Sequence, residues 1–160
     1  MESRFIEIPS YYMVPDGKGH WVARDRLIFY SAKHDLTIHV PAGAMNNLAS
    51  VPWLFRRIVP INGPSRPAAA AHDFLYEVGG KVMGKHLSRK DCDEIFLELM
   101  LSSKISYWNA LPSFVRDYMS TLGFDKVFNS EKPLVNKLMA ETMYAGVRVG
   151  GWASFNTKDY

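Results

Sequence analysis

Pro67-Ala68-Ala69-Ala70-Ala71-His72-Asp73-Phe74-Leu75-Tyr76 is the stretch that decides the fold. Four alanines in succession are the best helix formers. Pro67 suits a first helical turn and Gly79-Gly80 marks an end, so the sequence predicts a helix near 66–78. On it His72 and Tyr76 lie four apart and Asp73 and Tyr76 three apart, so Tyr76 neighbours both. A second stretch follows, Ser88-Arg89-Lys90-Asp91-Cys92-Asp93-Glu94-Ile95-Phe96. Ser88 with an acid three residues on is a capping-type start, and a helix near 88–103 is predicted. Arg89, Asp93, Phe96 and Met100 share one of its faces while Asp91 points away. If the two helices fold back on each other, Asp93 faces His72. A histidine held by a carboxylate is the core of general-base chemistry.

Downstream, the pattern predicts helices near 107–122 and 131–148, with Pro112 and Pro133 placed in first turns and Gly150-Gly151 as a stop. Leu134, Leu138, Met139 and Tyr144 read as the buried side of the last helix, with Lys132, Lys137 and Arg148 also on it. Upstream the chain reads as strands. Arg26–Ser31 and Leu36–Val40 are β-rich runs separated by Lys33-His34-Asp35, which makes a hairpin. Asp16-Gly17-Lys18-Gly19 is a turn signal between Tyr11–Val14 and Trp21-Val22. The expected class is α+β: an antiparallel hairpin or small sheet, then about four helices. One domain is expected over 1–160, strand-rich over 1–60, helical over 64–150 and irregular over 151–160.

Composition narrows the function classes. Hydrophobic residues at 48% and charged residues at 22% fit a globular protein, and no apolar run approaches the roughly 20 residues of a membrane-spanning helix. Net charge is +3, and the basic residues are scattered, so there is no strong nucleic-acid signal. The single cysteine, Cys92, rules out an internal disulfide and a cysteine-based zinc cluster. His20, His34, His39 and His86 show no zinc-ligand spacing along the chain. Met1–Ser10 is mixed and charged, unlike a secretory signal. The expected location is cytoplasm or a particle assembled there.

Four motifs then stand in order: Asn46-Asn47-Leu48-Ala49-Ser50-Val51-Pro52, Ala69–Tyr76, Leu87–Phe96, and Met143-Tyr144-Ala145-Gly146-Val147-Arg148-Val149-Gly150-Gly151. Together they resemble a bacteriophage family known as domain of unknown function 1353, over roughly residues 20 to 152. The resemblance implies phage origin, with other phage structural proteins or a host envelope component as partners. Its boxes single out Asn47, Ser50 and Arg89. Where the family's first box carries an aspartate this chain has Asn47. From the residues alone, Asn47 and Ser50 read as helix caps for the Val51–Phe55 segment.

His72-Asp73-x-x-Tyr76 with Asp93 on a second helix is also similar to the helix pair of phospholipases A2. That similarity implies His72 as the base that activates water, Asp93 and Tyr76 as the groups that orient it, and Asp73 as a calcium ligand. Asn62 and Gly63, before Pro64, would be the remains of a calcium loop. Calcium is the only cofactor implied. Two readings follow: a metal-assisted, phospholipase-like esterase, or a non-enzymatic virion, tail or host-factor-binding protein in which the same residues form a structural network.

Overall fold

The computed structural model of the protein describes residues 2–8, 11–13, 21–46, 65–102, 113–122, 133–150 and 155. In chain order the elements are β1 (Arg4–Glu7), β2 (Tyr11–Met13), β3 (Trp21–Ala23), β4 (Leu27–Ser31), β5 (Leu36–Val40), β6 (Met45–Asn46), α1 (Arg66–Glu77), β7 (Lys81–Val82), β8 (Lys85–His86), α2 (Arg89–Ser102), α3 (Ser113–Thr121) and α4 (Pro133–Gly150). This is the α+β arrangement of strands first and helices after. The expected turn at Asp16–Gly19, the Val51–Phe55 segment and residues 107–112 of the third predicted helix lie outside the described residues, as do Asn47, Ser50, Asn62 and Gly63.

The strands form three small antiparallel sheets, β1-β4-β5, β2-β3-β6 and β7-β8. In the first, Leu27 pairs with Val40, Phe29 with Ile38 and Ser31 with Leu36. The period-two pleat sends all six inward, and all six are buried. Thr37 and His39 alternate outward. β1 adds Phe5 edge-on to Phe29, with ring centroids 5.4 Å apart, and its register shifts between Phe5 and Glu7, where the ladder is locally broken. The second sheet is tied to α1 by Arg66, whose guanidinium lies 3.8 Å from the Trp21 ring centroid.

α2 is the central element, packed on α1, on α4 and on β1 and β4. Its buried positions Cys92, Ile95, Phe96, Leu99 and Met100 recur at three- and four-residue steps. α1 answers with Ala68, Ala71 and Leu75, and α4 with Ala140, Met143 and Val147. The alanines let the helix backbones approach closely. This sets the phase of α4 differently from the one expected. Leu138 is 60% exposed and Met139 and Tyr144 are only half-buried. The small-residue seam through Ala140, rather than the bulkiest residues, faces α2. The helix also runs through Gly150 instead of stopping before it.

Local signals at the α1–α2 connection explain why the two helices meet. Pro67 occupies the first turn of α1. At its end Gly79 and Gly80 adopt φ of 56° and 75°, and the Gly80 N–H reaches back to the Leu75 carbonyl at 2.8 Å. Between the helices lies a hairpin that the sequence reading did not foresee, with Met83 and Gly84 both at positive φ in its turn. Ser88 then caps α2: Asp91 Oδ2 accepts from the Ser88 N–H and hydroxyl, and the Ser88 hydroxyl accepts from the Asp91 N–H. Among the described residues no helix is long and apolar enough to cross a membrane.

Gly80 and Gly84 offer a paired test. A Cβ at Gly84 meets nothing within 4 Å, whereas one at Gly80 would stand 2.1 Å from the Leu87 carbonyl oxygen. Gly84→Ala is expected to lower stability by about 1 kcal/mol, the left-handed backbone penalty alone. Gly80→Ala is expected to lower it by clearly more, because the β7–β8 hairpin must shift away from α1. Urea denaturation of both variants measures the difference.

Candidate functional site

Asp93 lies in the second turn of α2, on the edge of its apolar stripe, and is fully buried. Its two oxygens collect donors from the two helices that flank α2. Oδ1 is 2.9 Å from His72 Nε2 and accepts from the Tyr76 hydroxyl at 2.5 Å, both on α1. Oδ2 accepts from the Arg148 guanidinium of α4 at 2.7 Å, and Arg89, one turn earlier on α2, stands 3.9 Å away. Arg89 also donates to the Arg148 carbonyl at 3.2 Å, which fastens the last turn of α4 to the first turn of α2. The helix spacing of His72 and Tyr76 puts their rings 4.2 Å apart, so one carboxylate oxygen serves both. Phe96 packs against His72 and Phe155 meets Tyr76 edge-on.

The electrostatics follow from these partners. Burial is the largest influence on Asp93 and pushes its carboxyl up; the hydrogen bonds from His72, Tyr76 and Arg148 outweigh it and hold the group below its ordinary 3.8. An ionised carboxylate only accepts, so His72 Nε2 carries the proton that faces it. In a neutral ring the lone pair then sits on Nδ1, outside the Asp93 bond. Burial first, and then the bond to Asp93, raise the Tyr76 hydroxyl far above its usual value, so it stays protonated and donating. Burial pushes the Cys92 thiol up to about 12, which makes it an inert core residue rather than a nucleophile.

The structure therefore joins four of the residues singled out from sequence: His72, Tyr76, Asp93 and Arg89. Asp73, adjacent to His72, is half-buried on α1. The residues expected to join it in a calcium loop, Asn62 and Gly63, lie outside the described residues, as do Asn47 and Ser50. The sequence marks Arg148 only as a charged residue of the last helix. Its presence in the fourth motif, as an arginine between two valines, was the available signal. A cavity of about 630 Å³ opens elsewhere, lined by Ala42, Met45, Phe74, Glu77, Val78 and Lys81 among others. It lies against the side of α1 that carries Phe74 and Glu77, and no member of the Asp93 network lines it.

A family model described as "Protein of unknown function (DUF1353)" matches residues 21–116. That span takes in α1 and α2 and stops short of Arg148. No curated protein and no solved structure matches the chain.

Because the folded pKa of Asp93 is lowered, its stabilising effect is complete above the ordinary value near 3.8 and is lost as pH falls through the folded value. Wild type is therefore expected to lose stability on acidification below about pH 4. Asp93→Asn is expected to flatten that loss and to lower stability at neutral pH by roughly 3 kcal/mol. Tyr76→Phe, which removes one donor and keeps the ring, is expected to lose about 1–2 kcal/mol. Urea titrations at pH 7 and across the acid limb measure all three.

Proposed function

The chain belongs to the DUF1353 family, and on that premise we propose that it is a phage-encoded, non-enzymatic component of the virion or tail, in which the Asp93 network holds the fold together. The observation that carries this reading is the burial of the network. His72 and Tyr76 are each 2% exposed, and Asp93 accepts hydrogen bonds from three side chains on two other helices. A base that activates water must touch water; a histidine packed between Tyr76 and Phe96 is placed for cohesion. Phage origin rests on the resemblance of the four ordered motifs.

A particle component also needs surface for its neighbours. Phe114, Tyr118 and Leu122 recur every four residues along α3 and its end and are 72%, 65% and 54% exposed. Such an apolar stripe on a polar helix suits cover by other phage structural proteins. Quantitative mass spectrometry of purified particles tests the assignment. The chain is expected in stoichiometric amounts, with incorporation reduced by Phe114→Asp together with Tyr118→Asp at an unchanged melting temperature. Particles lacking the chain would overturn the reading.

One observation favours a second reading. Nε2 of His72 is held by Asp93, Tyr76 shares the same oxygen, and Nδ1 is left outside that bond, as a phospholipase-like base requires. In that reading Asp73, with Asn62 and Gly63, binds calcium, and the cation stabilises the oxyanion of an attacked ester. The two readings separate on phospholipid vesicles supplied with calcium. The first expects no fatty-acid release, no calcium shift of the melt, and a His72→Ala variant that is chiefly destabilised. Release that needs calcium and disappears in a folded His72→Ala would install the second.

A further inference from the structure

We propose that His34, Asp91 and Glu94 form a binding site for a divalent transition-metal cation of the zinc class, separate from the Asp93 network. Asp91 and Glu94 are three apart on the first turns of α2 and so neighbour each other on one face. His34 comes from the β4–β5 turn. Ligand atoms of the three residues all lie within 4.8 Å of one another, and all three side chains are half-buried.

The turn that delivers His34 is held in place. Its own N–H donates to Ser31 Oγ at 3.3 Å, and the Lys33 N–H donates to Glu98 Oε1 at 3.2 Å. Lys85 reaches the His34 and Asp35 carbonyls, each at 3.4 Å. Strand end, central helix and the β7–β8 hairpin therefore all hold the backbone of this turn beside α2. An independent observation points to a ligand: His34 Nε2 is buried and has no hydrogen-bond partner among the described residues. An unsatisfied polar atom of this kind costs about 1–3 kcal/mol. A site that completes the imidazole's coordination would remove that cost.

The donor set selects the class of ion. One imidazole and two carboxylates neutralise a dication and supply mixed nitrogen and oxygen ligands, which suits zinc and its neighbours. Calcium takes 6–8 oxygens and is disfavoured by the imidazole. Tetrahedral zinc with bonds of about 2.0–2.1 Å sets its ligands roughly 3.4 Å apart, so the side chains must close by at most about 1.4 Å. Glu94 can do so by rotation of its long side chain once Lys33 gives way, and Asp91 has Oδ1 outside its bonds to Ser88. Three protein ligands among the described residues leave a fourth position for water.

The ion has competitors. Lys33 stands 2.9 Å from Glu94 Oε2 and Lys90 3.8 Å from Oε1. The positive end of the α2 dipole also opposes a cation. Binding is therefore expected to be micromolar rather than tighter, and Lys33 is the residue the ion must displace.

Zinc titration of the full chain, followed by calorimetry and thermal melting, tests the site. One zinc per chain is expected, with a raised melting temperature that calcium does not reproduce. His34→Ala and Glu94→Gln are each expected to lose the shift and to weaken binding by at least the roughly tenfold seen when even an outer partner of a metal ligand is removed. Lys33→Met is expected to tighten binding several-fold, which no purely structural role of the cluster produces. His86→Ala, on the exposed β7–β8 hairpin, is expected to behave as wild type. Absence of saturable zinc binding in the micromolar range overturns the proposal, and so does equal binding by Glu94→Gln and wild type.

Discussion

A carboxylate removed from water needs its charge answered by the protein, and Asp93 is answered from both flanking helices. His72 and Tyr76 arrive from α1, and Arg148 arrives from α4. Each donor is correctly placed only if its helix packs at the right height and rotation against α2. The apolar stripes alone would tolerate some sliding of one helix along another. A buried charge does not, because a missing donor leaves it uncompensated at several kcal/mol. The Asp93 network thus specifies the register of three helices that hydrophobic burial merely brings together.

The same central helix carries polar residues on its other side, where it meets the sheet. Glu98 accepts from Ser3 and Ser31, both at 2.5 Å, and from the Lys33 N–H. The Ser3 hydroxyl in turn accepts from the Ala32 N–H. One carboxylate thereby joins α2 to the chain leading into β1 and to the end of β4. Asp91 and Glu94 continue this line toward the helix start, beneath His34. α2 therefore divides into an apolar stripe for the core, one buried carboxylate for the helices and a row of carboxylates for the β4–β5 turn. Stability and any ligand chemistry draw on the same short element.

Much of this was legible in the residues. The β-branched and aromatic runs Arg26–Ser31 and Leu36–Val40, parted by Lys33-His34-Asp35, identify the hairpin, because such residues fit a pleated, packed surface and the polar break between them fits a turn. Alanine-rich propensity, Pro67, the paired glycines and the Ser88–Asp91 cap bounded α1 and α2 closely. The placement of Asp93 followed from helix phase, since it shares a face with Phe96 and Met100. The β7–β8 hairpin was not legible: its strands are two residues each, too short for periodicity to register. The phase of α4 is not legible from side-chain bulk, because fit against α2 decides it. Ala140 faces α2 and Leu138 faces solvent.

The sequence by itself determined the elements, their order and the residues able to carry charge or a proton, because propensity, capping and periodicity act over a few neighbouring positions. It also determined that His72 and Tyr76 act together, four apart on one helix. Only the tertiary structure decided which distant groups meet. Arg148 reaches Asp93 across 55 positions of chain, Glu98 reaches Ser31 across 67, and His34 reaches Asp91 with no ligand spacing to announce it. Such pairings depend on how helices rotate and how far backbones approach. Those quantities are set by the packing of the whole core and leave no periodic trace in the chain.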